Sequence, residues 1–129
     1  MTEAQFKKKV VAFLKDMTNC DFFIKEAKTI RGIADIIGTY DGMPFHLELK
    51  KNREEAQKAS GRIVLQRHRL IKAGLCGTYA IFLYPENFET FKIAFVRVCL
   101  GHHSGVQYPH EVLQERLDPV PSDQSTVEN

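Results

Sequence analysis

The sequence predicts an α/β fold: a central mixed β-sheet flanked by helices, in the order α-β-β-β-α-β with a further C-terminal helix. Three observations predict it. The N-terminal segment repeats its apolar residues at helical spacing, Asp41-Gly42 lies between two strand-like runs, and Thr78 to Tyr84 is a nearly continuous apolar run behind a helix-like segment. Strands joined by a two-residue turn are antiparallel, and the strand reached through the helix makes a crossover unit, right-handed if the strands are parallel, so a mixed sheet is expected.

The first helix is expected to start at Thr2, where Thr2 and Gln5 match a capping box and Phe6, Val10, Phe13, Leu14 and Met17 share one face. Glu3 projects toward that face, although an acid in a first turn also simply complements the helix dipole. After Asn19-Cys20, Asp21 to Lys25 reads as a strand, and Ile33 to Gly38 as the first strand of a hairpin. Asp-Gly between alternating apolar residues is a strong hairpin signal, because glycine supplies the positive φ of a type I′ turn. With Asp41 and Gly42 as the loop, Tyr40 opposes Met43 and Ile36 opposes Leu47. Asp35 then falls opposite Glu48, with Cβ atoms roughly 5 Å apart, and Lys50 points to the same face.

The polar stretch from Lys51 to Gly61 is expected to be a mobile loop over this end of the sheet. A helix follows from about Arg62 to Ala73, with Ile63, Leu65, Leu70 and Ile71 as its apolar positions and Gly74 as its cap. The apolar run ended by Pro85 reads as a strand buried on both faces, at the centre of the sheet. Asn87 to about Leu100 reads as a helix packing through Phe88, Phe91, Ala94, Phe95 and Val98. From Gly101 onward little is specified. His102-His103 and His110 lack the partner spacing of a metal site and read as a polar surface segment, and Pro119 to Asn129 read as disordered.

Composition bounds the rest. The chain has 129 residues, 43% of them hydrophobic, which suits one domain with one core. No run of eighteen apolar residues occurs and no signal-peptide pattern opens the chain, so neither export nor a membrane partner is expected. Cys20, Cys76 and Cys99 are odd in number and lack CxxC spacing, so they are expected to be reduced, buried thiols. A net charge of +2 does not by itself mark a nucleic-acid binder. The distribution says more: Lys7-Lys8-Lys9, Lys50-Lys51 with Arg53, and Arg62, Arg67, Arg69 and Lys72 cluster near the hairpin and the helix that follows it. The first triplet equally suits the wet face of a helix; the others are the candidates for phosphate contact.

Two carboxylates opposed across a ladder repel unless positive charge lies between them. A divalent cation resolves that conflict, since Mg²⁺ takes one or two protein carboxylates and leaves its other positions to water and phosphate oxygens. The plainer alternative is a solvated strand face on which Lys50 pairs with Glu48. His46, one strand step from Glu48 on the same face, reads as structural.

Gly32-Ile33-Ala34-Asp35, a turn, Glu48-x-Lys50 and then Gln66 near the front of a helix resemble the PD-(D/E)XK nuclease superfamily. Within it the chain most resembles the small stand-alone virus-type replication-repair nucleases, relatives of Holliday junction resolvases. The likeness runs from Thr2 to about Phe91 and departs from the pattern at Ala34, where the family has proline. It implies a restriction-endonuclease-like core over residues 1–100, followed by a C-terminal extension, 101–129. It also implies Asp35, Glu48 and the Leu49 carbonyl as ligands of Mg²⁺ or Mn²⁺, with Glu3 as a further ligand or water positioner. Lys50 and Gln66 would complete the catalytic set, and Lys51, Arg53, Arg62, Arg67 and Arg69 would contact DNA. The expected activity is endonucleolytic cleavage of branched DNA such as four-way junctions by a homodimer, in the cytoplasm, that of a host cell if the gene is viral. The helix with Phe88, Phe91 and Phe95 would either join the dimer or pack on its own sheet. The alternatives are a nuclease acting on flaps, single strands or duplex without junction preference, and a non-catalytic DNA-binding or assembly module.

Overall fold

The computed structural model describes residues 1–25, 34–101 and 108–118. Helix α1 (Glu3–Lys15) starts as its sequence dictates: Thr2 accepts from the Gln5 amide, Gln5 returns a bond to the Thr2 amide, and Phe6, Val10 and Leu14 are buried. Strands β1 (Cys20–Ile24), β2 (Ile36–Tyr40) and β3 (Met43–Leu49) form an antiparallel meander, and β4 (Tyr79–Leu83) pairs parallel to β3, giving the order β1-β2-β3-β4. Short α2 (Arg53–Ala56) and long α3 (Gly61–Leu75) make the crossover to β4. A 3-10 turn at Pro85–Asn87 leads into α4 (Phe88–Gly101), and α5 (His110–Leu117) ends the described chain. The fold is α/β, with a mixed sheet between helices.

One face of the sheet carries Ile36, Tyr40, Phe45, Leu47, Tyr79 and Ile81 against Phe6, Val10 and Leu14 of α1 and Phe88, Phe91 and Phe95 of α4. The Phe91 and Phe95 rings stack at 4.9 Å, and Phe95 meets Phe45 edge-on at 5.1 Å. Phe88, Phe91 and Phe95 are therefore spent on their own core and are not free for a partner subunit. The opposite face carries Ala80, Phe82 and Tyr84 against Ala56, Ile63 and Leu70.

The hairpin register is the one counted from the turn: Tyr40 pairs with Met43 and Ile36 with Leu47. Asp41 and Gly42 both take positive φ, 52° and 85°, as a type I′ turn requires. β2 consequently continues to Tyr40, beyond the Gly38 expected as its end, and begins at Ile36. Ile33 lies outside the described residues, as do Gly32, His102-His103 and Pro119 to Asn129.

Several expectations are corrected. The apolar run at β4 is the last strand of the described sheet, not its centre. Its burial comes from helices on both faces and from α5, which lies along its open edge. There the Gln114 side-chain amide accepts from the Phe82 N–H at 2.7 Å and donates to the Phe82 carbonyl at 3.0 Å, and a His110 ring nitrogen sits 2.7 Å from the Ala80 carbonyl. Two side chains thus satisfy backbone groups that a further strand would otherwise pair. His110 is accordingly buried, not a surface residue, and residues beyond Gly101 contribute Leu113 and Leu117 to the core.

The polar stretch after β3 is not all loop, because Asn52 caps α2 through the Glu55 amide at 2.8 Å and Ala56 is buried. Helix α3 runs past Gly74 to Leu75. The Thr78 amide donates to Ala73 and the Gly77 amide to Gly74, with Gly77 at φ 89°, so Gly77 is the capping glycine. Gly74 instead lies where a Cβ would come within 2.7 Å of the His110 nitrogen. Leu65 is exposed, and Gln66 holds its place in the buried row Ile63-Gln66-Leu70-Gly74. Of the cysteines, all free, Cys99 is buried, Cys20 half-buried and Cys76 exposed. Among the described residues no helix is long and apolar enough to cross a membrane.

Candidate active site

The hairpin register sets the site. Hydrogen-bonded and non-hydrogen-bonded pairs alternate along an antiparallel ladder, and the tight turn makes Tyr40 and Met43 a hydrogen-bonded pair. The ladder ends at Ile36 and Leu47, and the same register carried one residue further would set Asp35 opposite Glu48 at a non-hydrogen-bonded position, the type whose side chains approach most closely. Asp35 stands just outside β2, and its Oδ2 accepts the Leu49 N–H at 2.8 Å, replacing the ladder carbonyl. In a strand the N–H and C=O of one residue face the same neighbour, so the Leu49 carbonyl is directed toward Asp35 as well. The Lys25 amide donates to the Asp35 carbonyl at 2.8 Å and ties this corner to β1.

Glu48 is only 4% exposed, and its carboxyl is close enough to Asp35 to hydrogen-bond with it. Burial first, then the Asp35 hydrogen bond and charge, push the Glu48 carboxyl up to about 9, against the lowering pull of Lys50 and Lys25. Lys50 is equally buried, and its Nζ lies 4.0 Å from Glu48 Oε2, the outer limit of an ion pair. Its backbone N–H continues the parallel ladder to the Leu83 carbonyl at 2.9 Å, which fixes the side chain on the Glu48 face.

From α3, Gln66 Nε2 donates to Glu48 Oε2 at 3.3 Å, while Gln66 Oε1 is buried with no hydrogen-bond partner. Glu3 is exposed at the start of α1. Its carboxyl is raised by partial burial and by the charges of Asp35 and Glu55, with Lys50 and Arg62 opposing. Asp35, Glu48, Lys50 and Gln66 are therefore brought together, and Glu3 stands at the rim. Glu55, a second rim acid, was missed in the sequence because its segment read as loop; the Asn52-x-x-Glu55 spacing of an N-cap was the available signal. His46 is half-buried beside this group, and burial lowers its imidazole pKa.

No protein-family model, no curated protein and no solved structure matches the chain. The chemistry of the site must be read from its own residues.

Among the described residues no three His, Cys, Asp or Glu side chains converge as a metal-binding group. The donor set that does converge is two carboxylates and a backbone carbonyl. That set suits a hard cation such as Mg²⁺, which keeps water in its remaining positions. The facing acids and the orphaned Gln66 oxygen both fit a cation carrying a water: the first lacks a positive charge between them, the second lacks a donor.

The basic candidates divide. Lys51, Arg62 and Arg69 are exposed. Arg53 instead pairs with Asp118 at 3.1 Å, and Arg67 donates to the Ala56 carbonyl at 2.9 Å and lies over the Phe82 ring at 5.8 Å. Both guanidiniums are engaged within the fold, through partners distant in sequence.

Proposed function

We propose that the chain is a Mg²⁺- or Mn²⁺-dependent DNA endonuclease of the PD-(D/E)XK type, acting on branched DNA such as four-way junctions. The observation that carries the reading is buried Glu48 facing half-buried Asp35, two acids that can both ionise only with further positive charge between them, with the Lys50 ammonium at 4.0 Å. Asp35, Glu48 and the Leu49 carbonyl would hold the cation, which when bound lowers the pKa of a water and stabilises charge on a phosphate. Glu48 must give up its proton for the site to load. Lys50 would offset charge gathering on the scissile phosphate, as a buried ammonium beside a phosphate does. Gln66 Oε1 would accept a hydrogen bond from the attacking water and orient it. Exposed Lys51, Arg62 and Arg69 supply phosphate contacts that set register.

The preference for branched DNA and the homodimer rest on the resemblance of the sequence motif. With the α4 phenylalanines buried, the outer face of that helix, where Ile93 is 60% exposed, offers an apolar surface for self-association.

Labelled four-way junction, flap, duplex and single strand, each incubated with Mg²⁺, Mn²⁺ or EDTA, test the reading. Cleavage that EDTA abolishes, and that Asp35→Asn and Glu48→Gln lose while retaining DNA binding, supports it. Turnover indifferent to EDTA rejects the metal mechanism, and well-folded protein that cuts none of the substrates rejects the enzyme.

A further inference from the structure

The Glu48 face of the sheet is covered unevenly. Helix α3 packs on β3 and β4, and beyond it the cross-strand row Phe23, Ile37, His46 ends in an aromatic ring that is 71% exposed. Alternation puts Phe23 on this face, because Cys20 and Phe22 pack into the core on the other side. The row lies one step of two residues from the row of Asp35 and Glu48. By strand spacing and rise, Phe23 Cα is on the order of 8 Å from Asp35 Cα. The next row out, Asp21, Thr39 and Pro44, is exposed and not hydrophobic enough to extend an apolar patch.

We propose that this open face is a stacking platform on which Phe23 receives an unpaired base of the strand whose backbone enters the carboxylate site. The inference rests on the endonuclease reading and narrows its substrate class to DNA with an unpaired nucleotide beside the scissile phosphate, as in a flap or at an opened branch point of a four-way junction. An aromatic ring offers a base a π-face whatever its identity, and only a base outside the duplex stack can present its own face to it. The platform is continuous with the site, and the span to Asp35 is one a single nucleotide covers. Lys25, just past the end of β1, is close enough to the site for its charge to act on Glu48. A second protein copy fits this face poorly. Stable interfaces bury about 800 Å² per partner around an apolar centre, whereas Phe23 and Ile37 here are bordered by Asp21, Lys25 and Thr39.

The test measures binding, with Ca²⁺ in place of Mg²⁺ and strand integrity checked on gels. The probes are a flap, a single strand and a blunt duplex, each carrying 2-aminopurine, placed at the branch in the flap. Phe23→Ala is expected to weaken flap and single-strand binding by roughly 5- to 150-fold, the span of one base–aromatic stack, and to abolish the 2-aminopurine quench. Duplex affinity and melting temperature should hold, and Phe23→Trp should restore both binding and quench. Unchanged binding and quench in Phe23→Ala, an equal loss on duplex, or a changed sedimentation coefficient of the free protein would overturn the proposal. Phe23-dependent quench in a protein that cuts nothing in Mg²⁺ would sink only the nuclease reading. Cleavage with unaltered flap preference in Phe23→Ala would sink only the platform.

Discussion

Two buried polar clusters lie on the same side of this sheet, and they are built in opposite ways. At Asp118 the carboxylate accepts from Tyr84 Oη, Asn87 Nδ2 and Gln114 Nε2 and pairs with Arg53, so donors surround one acceptor. At Glu48 one acid faces another, an ammonium stands at the limit of pairing, and an amide oxygen has no donor. The first cluster is satisfied apart from the buried Arg53 Nε. The second is frustrated. Folding selects the first kind, whereas the second persists only where something outside the chain completes it, which is why unresolved polar chemistry points to function and resolved polar chemistry to stability.

The sharpest way to break this contrast is to neutralise one acid in each cluster. Glu48→Gln or Asp35→Asn is expected to lower cleavage by roughly 10²- to 10³-fold, the several kcal/mol a cation supplies to phosphoryl chemistry, while urea midpoints hold or rise. Asp118→Ala should do the reverse. It leaves buried donors on Tyr84, Asn87 and Gln114 unpaired, and urea denaturation should show a loss of about 2–3 kcal/mol with cleavage by the folded protein intact. A stability loss at Glu48 equal to that at Asp118 would erase the distinction.

Proton linkage gives the next largest effect. Glu48 titrates near 4.5 in the unfolded chain and is pushed up to about 9 in the fold, so between these values the folded protein binds a proton that the unfolded chain does not. Its contribution is full below the unfolded value and is lost as pH rises toward about 9. Burial lowers His46 and His110, whose contributions are instead present above the ordinary imidazole value of 6.5 and lost below it. Between 6.5 and about 9, therefore, the melting temperature in EDTA should fall with pH, Glu48→Gln should flatten that slope, and Mg²⁺ should restore stability most at the alkaline end. A slope that Glu48→Gln leaves unchanged would place the titration elsewhere.

The two clusters also differ in how far the sequence disclosed them. The Glu48 group was legible because a two-residue turn makes strand pairing a matter of counting, and Asp41-Gly42 admits little else. The Asp118 group was not, since apart from the Gln114 bond within α5 its bonds join residues 31 to 65 positions apart and no periodicity carries such distances. The same reason hid the place of β4. An apolar run says that both faces are covered, but not whether its edge meets a strand or, as here, a glutamine and a histidine. Helix α5 is eight residues, with Leu113 and Leu117 as its buried apolar pair, too short a pattern to stand out.

The smallest effect tests the guanidiniums that the sequence grouped together and the fold separates. Arg62 and Arg69 are exposed on α3, Arg62 close enough to the site for its charge to act on Glu3, whereas Arg53 is held by Asp118. If phosphate meets only the former, Arg62→Ala or Arg69→Ala should weaken binding evenly across DNA sequences and reduce the slope of log affinity against log salt by about 1 each. Arg53→Ala should leave that slope alone and lower stability by about 1 kcal/mol or less, because its side chain is 42% exposed and water screens the pair. Salt titrations of the three variants on one labelled flap separate these cases. A slope that falls for Arg53→Ala as it does for Arg69→Ala would mean that DNA competes with Asp118 for this guanidinium, and the satisfied cluster would then belong to the binding surface too.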